Sequence, residues 1–127
     1  MIEYAIDPQL SDERLDRLWQ AAWGSPIGDY ARDVLPRSLG YVGAYEGERL
    51  VGFVNLAWDG SVHAFVLDTC VDPEFRRQGI GRRLIAEAAR TARERGATWL
   101  HVDFEPHLDG FYRGCGFRPT AAGLIRL

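Results

Sequence analysis

Apolar residues along this chain recur at two spacings, and the switches between them outline its architecture. Residues 1–6 read as a short strand. Ser11 is a plausible helix cap, and Arg14, Leu15, Leu18 and Trp19 follow it at helical spacing. Gly24-Ser25-Pro26 ends that helix. A second short helix is expected over residues 27–35, stopping before Pro36 because proline disfavours the helical conformation in the residue ahead of it. Strands are then expected at 40–46, 50–58 and 61–71. The turn signals Glu46-Gly47-Glu48-Arg49 and Asp59-Gly60 join them into an antiparallel meander. Past Pro73 the helical spacing returns. Ile80, Leu84, Ile85, Ala88 and Ala92 make one stripe, with Arg83, Glu87, Arg90 and Glu94 opposite and Gly96 as the stop. Residues 98–104 alternate Leu100, Val102 and Phe104 against Trp99, His101 and Asp103. A short helix from about His107 to Gly114 and a last strand at 121–127 complete the chain.

The sum is an α/β fold, a mixed sheet with helices packed on it. With 127 residues and no repeat, low-complexity tract or linker, the chain reads as one domain, 1–127. The formal net charge of -3 argues against nucleic acid as the main partner, since phosphate backbones demand a basic surface. No apolar run is long enough to cross a membrane, and the N-terminus shows no export signal, so a cytoplasmic location is expected. Cys70 and Cys115 lie far apart without metal-ligand spacing and are read as free thiols. His63, His101 and His107 share no metal-binding pattern either, and no metal is expected.

The junction at residues 71–84 holds the candidate chemistry. Gly79 and Gly81 stand where a helix begins, and a helix N-terminus presents unpaired N–H groups that suit phosphate. Arg76, Arg77, Arg82 and Arg83 add positive charge around them. From the glycines alone, a tight turn with arginines on a solvated face is the favoured reading, since short glycine motifs match by chance. Neither a P-loop nor the three-glycine dinucleotide fingerprint fits.

The run Val71-Asp72-Pro73-Glu74-Phe75-Arg76-Arg77-Gln78-Gly79-Ile80-Gly81 resembles the acyl-CoA signature of the GNAT superfamily of N-acetyltransferases. Phe111-Tyr112-Arg113-Gly114-Cys115-Gly116-Phe117 is similar to that family's Phe-Tyr-x-x-x-Gly-Phe segment. The two occur in family order with one helix and one strand between them. The resemblance covers the chain from about residue 40 onward. It implies a mostly antiparallel central sheet with helices on both faces, and two strands, 61–71 and 98–104, splayed apart to admit acetyl-CoA. It also implies that backbone N–H groups from about residue 77 to 82 hold the pyrophosphate, with Arg76, Arg77, Gln78, Gly79, Ile80, Gly81, Arg82 and Arg83 forming the cradle. Cys70 and Val71 would pair with the pantetheine arm like an added strand.

Tyr112 occupies the family's tyrosine position, which implies protonation of the leaving thiolate; a phenol holds its proton at a pH where a thiol has lost it. A tyrosine packing on the sheet with its hydroxyl in water is the other reading, and the flanking motif favours the functional one. Asp68 stands where many relatives carry an acid, and would take a proton from the amine or hold a cationic amine in place. A polar residue in a bulged strand is the other reading. Glu105 departs from the family, where asparagine is usual, and becomes a candidate second acid near the substrate. Trp23 and Tyr30 border the acceptor region in similar proteins, although core packing is the default for aromatic residues. The implied function is transfer of an acetyl group from acetyl-CoA to a primary amine, on a small molecule or a peptide, by a monomer or homodimer. A non-catalytic acyl-CoA-binding sensor is the alternative.

Overall fold

The computed structural model describes residues 1–127. Five strands form one sheet in sequence order: β1 (Ile2–Ile6), β2 (Gly40–Glu46), β3 (Arg49–Trp58), β4 (His63–Val71) and β5 (Trp99–His101). The first four run antiparallel and β5 joins parallel to β4. Helix α1 (Asp12–Trp23) and the single turn α2 (Tyr30–Asp33) cover one face, and α3 (Ile80–Glu94) the other. A last short helix, α4 (Asp109–Gly114), follows β5. No helix is long and apolar enough to cross a membrane.

The alternation in each strand divides the core in two. Val42, Ala44, Val51, Val54, Leu56, Ala64 and Val66 meet the α3 stripe of Ile80, Leu84, Ile85, Ala88 and Ala92. Leu50, Phe53 and Cys70 meet Leu15, Leu18 and Trp19 of α1 and Tyr30 of α2. Ser11 caps α1 as expected, its hydroxyl accepting the Arg14 N–H, and Gly24 closes that helix at φ +81°.

Three expectations fail at element ends. The helix foreseen at 27–35 shrinks to four residues, and a separate 3-10 turn runs straight through Pro36, over Leu35–Arg37. Proline at the start of such a turn forfeits an N–H that had no partner there anyway. The strand foreseen at 98–104 pairs only over Trp99–His101, because β4 turns away from it beyond Phe65. No strand forms at 121–127. Those residues are exposed and carry no regular structure. The short β5 gives them little edge to pair with, and Ala121-Ala122-Gly123 has poor strand propensity.

Candidate functional site

The site begins with one extra residue. Phe53 faces Cys70 and Asn55 faces Leu67, so three steps along β4 oppose two along β3. The bulge bends β4 and throws Asp68 into the left-handed region at φ +59°, a conformation aspartate tolerates better than most residues. The bulge therefore leaves both Leu67 and Asp68 exposed. Below it, β4 pairs with β5 only through His63↔Trp99, Ala64↔Leu100 and Phe65↔His101. Above it, from Val66 to Val71, β4 has no strand neighbour on that side. The chain past His101 runs off toward Pro106 instead. The result is the splay foreseen between these two segments.

Asp68 does not stand alone. The Tyr30 hydroxyl donates to Asp68 Oδ2 at 2.7 Å. Carboxylates of α1 hold Tyr30 in place: Asp12 Oδ1 accepts the Ala31 N–H at 2.7 Å, and Asp16 Oδ1 accepts those of Ile27 and Gly28. Asn55 lies beneath, buried, accepting from the Ser38 hydroxyl at 2.6 Å. Burial pushes the Tyr30 phenol far above its usual range, and its bond to Asp68 and that carboxylate's charge add to the rise, with Asn55 pulling the other way. Cys70, facing the same aromatic cluster, is likewise pushed up by burial and then by the Asp68 charge. Its thiol stays protonated and is no nucleophile.

Tyr112 approaches the same bulge from α4. It is buried, stacked on Phe104 at 4.8 Å between ring centroids, with Phe111 and Phe117 edge-on to it. Burial raises its pKa. The Thr69 side chain pulls against this, and the Cys115 and Asp103 charges reinforce it. No hydrogen bond of normal geometry joins phenol and Thr69, whose Oγ1 is buried without any partner. A buried hydroxyl without a partner is suited to a polar group entering from outside.

The raised phenols have a measurable consequence. Both favour the neutral form in the folded state above the ordinary value of 10. That stability is fully present below pH 10 and is lost as pH climbs through the folded values. The unfolding midpoint should therefore hold steady from pH 7 to 9 and fall above 10. Tyr30→Phe should fall less steeply than the wild type; parallel curves would show that Tyr30 does not contribute.

The phosphate cradle is assembled beyond β4. Asp72 is buried; it caps a 3-10 turn at Pro73–Phe75 and pairs with Arg49 at 2.8 Å. Arg77 and Gly79 then adopt left-handed φ of +63° and +77°, and α3 starts at Ile80. Arg83 donates its N–H to the Gly79 carbonyl, but no amide from Arg77 to Arg82 donates to any protein group. Six consecutive N–H groups at a helix start suit an anion. Arg76, Arg77 and Gln78 are exposed around them. Arg82 and Arg83 are committed elsewhere: Arg82 donates to the Gly114 carbonyl, and Arg83 pairs with Glu87 and lies over the Tyr4 ring. Every one of the 15 basic side chains is arginine; the chain has no lysine.

Gly81 has a different reason from the one the motif suggests. A Cβ there would stand 3.3 Å from the Phe111 ring and 3.8 Å from Val71. Its missing side chain lets α4 dock on α3, so its first service is to Tyr112's neighbour rather than to phosphate. Gly79 is the position whose φ demands glycine, and open space surrounds it.

The remaining candidates lie farther out. Glu105 is exposed ahead of a 3-10 turn at Pro106–Leu108, where its carbonyl accepts the Leu108 N–H. Trp23 is exposed at the end of α1 and packs edge-on to Trp19 at 4.9 Å. Residue spacing gave no hint of Thr69, nor of the bond joining Tyr30 to Asp68 across 38 positions.

Comparison with known proteins returns one family. Its model, described as the acetyltransferase (GNAT) family, matches residues 6–117. Acetyltransferase SP0256 of the GNAT family, from Streptococcus pneumoniae TIGR4, shares 30% identity at a TM-score of 0.81, covering 100% of this chain and 98% of that one. AAC(6')-Iy, solved with a CoA bisubstrate analogue, has the same fold at a TM-score of 0.81 and 19% identity, over 100% of this chain and 97% of that one. Histone acetyltransferase TAP1 from Glycine max is 30% identical over 62% of this chain, which matches only 34% of that protein's length. The match thus spans about a third of the length of these curated relatives.

Proposed function

Because the chain belongs to the GNAT acetyltransferase family, we propose that it transfers the acetyl group of acetyl-CoA directly onto a primary amine. One observation carries this reading. The bulge of β4 presents Asp68 to one face of the sheet, while Tyr112 reaches Thr69 from α4, so a base and an acid flank the same open gap.

Acetyl-CoA supplies a thioester whose carbonyl carbon accepts the amine nitrogen. The donor fits the residues present: six free amides would hold its phosphates, an unpaired edge of β4 its amide-bearing arm, and the orphaned Thr69 hydroxyl could meet a polar group of it. The atoms balance simply. A C–N bond forms and the C–S bond breaks. Asp68 accepts the proton the amine must lose, directly or through water. Tyr112 gives its phenolic proton to the departing sulfur. A neutral phenol is required for that, and burial shifts Tyr112 further toward its neutral form. Tyr30 holds the Asp68 carboxylate by one oxygen and leaves the other free to work.

Two measurements test the proposal. Saturating CoA should slow hydrogen exchange at the amides of residues 77–82; unchanged exchange there would place the phosphates elsewhere. Thiol release from acetyl-CoA should depend on an added primary amine, and no release over a broad panel would remove the transferase reading.

A further inference from the structure

The α1/α2 layer covers only half of its face of the sheet. Pairing puts Phe53, Asn55 and Ala57 of β3 on that face with Cys70, Leu67 and Phe65 of β4, and then His63 of β4 with Trp99 and His101 of β5. Phe53 and Cys70 lie under the helices. Beyond Asn55 nothing covers the sheet: Phe65 is 36% exposed, Leu67 40% and Trp99 57%. This half is not ragged surface. The His101 ring stacks on Phe65 with centroids 4.6 Å apart, and His63 Nδ1 lies 2.8 Å from His101 Nε2 in a shared hydrogen bond. The side chains therefore form a flat, ordered, largely apolar floor. At its upper end stands the exposed Asp68.

We propose that this open half-face is the acceptor platform, and that the acceptor is a primary amine carried on an aromatic or aliphatic body. The inference rests on the transferase reading above and narrows its substrate class. Charge and continuity both select this occupant. The floor runs without interruption into Asp68, the carboxylate assigned to the amine, so whatever presents its nitrogen there must lay its remainder along Leu67 and Phe65. An ammonium group matches Asp68, while a polar or polycationic body would find no partner among Phe65, Leu67 and Trp99. Phe65 is three residues from Asp68, about 10 Å of strand at 3.3 Å per residue, so the floor accommodates a body of roughly that length. Phosphorylated or carboxylated acceptors are disfavoured by the Asp68 charge.

The experiment compares kcat/KM for 2-phenylethylamine and hexylamine with that for ethanolamine, spermidine and a lysine peptide. The apolar amines should be preferred by at least about tenfold, since roughly 60 Å² of apolar contact is worth that factor. Leu67→Ser and Phe65→Ser should raise KM for the apolar amines about tenfold, while CoA affinity and the KM for ethanolamine move much less. Both positions are exposed, so the fold should tolerate the changes. Turnover confined to spermidine, ethanolamine or the peptide overturns the inference and leaves the transferase standing. Thiol release with no amine at all, despite CoA binding, overturns both. If instead the protein is dimeric, Trp99→Ser dissociates it and acceptor KM does not move, a second copy covers the face and the inference falls.

Discussion

Replacing Tyr112 by phenylalanine should lower turnover by about 10²–10⁴-fold, the usual worth of a positioned general acid, while CoA affinity stays near that of the wild type. The substitution removes one hydroxyl and almost no volume from a ring enclosed by Phe104, Phe111 and Phe117. The core should close around it unchanged. Without the phenol, the departing thiolate must be protonated by water. The pH profile separates this from a packing defect. The wild type should show no alkaline loss of acid function below pH 10, because burial holds the phenol neutral beyond its ordinary value. The variant should lose rate throughout. Equal turnover for the two proteins from pH 6 to 9 would remove Tyr112 from the chemistry and leave it as packing.

Asp68→Asn should cost about 10²-fold or more at neutral pH, and the loss should shrink as pH rises. Asparagine keeps an oxygen that can accept from Tyr30, so the bulge and its tether should persist. What vanishes is the proton acceptor. An alkylamine with a pKa near 10.4 is only about one part in a thousand free base near pH 7.4. With no acceptor in the site, only that fraction can react, and the rate should rise about tenfold per pH unit between 7 and 9. The wild type should rise less steeply over the same range. Identical slopes for the two proteins would mean that the amine loses its proton before it reaches Asp68. The signature is specific to proton transfer, since a variant that merely loosened β4 would lose rate equally at every pH.

Residue spacing made much of this arrangement legible. The α3 stripe, the strand at 40–46 and the cap at Ser11 are local patterns, and the structure follows each. Placing Tyr112 beside the β4 segment followed from two short motifs in family order. What escaped was decided across long separations. Nothing near Tyr30 announces that its hydroxyl reaches Asp68, and nothing near Gly81 announces the Phe111 ring 3.3 Å from its missing side chain. The bulge is an offset of one residue between two strands, visible only once both are paired. The strand expected at 121–127 shows the converse: a passable strand pattern forms nothing when the edge beside it is three residues long.

A chain without lysine offers its own reagent no side-chain amine to acylate. Thioesters acylate free amines slowly without any catalyst, and a lysine beside a bound acetyl donor would be steadily modified. Arginine stays charged at every accessible pH and offers no lone pair for that attack. The arginines around the α3 start can thus supply positive charge to an acyl donor for the protein's whole working life without being consumed by it.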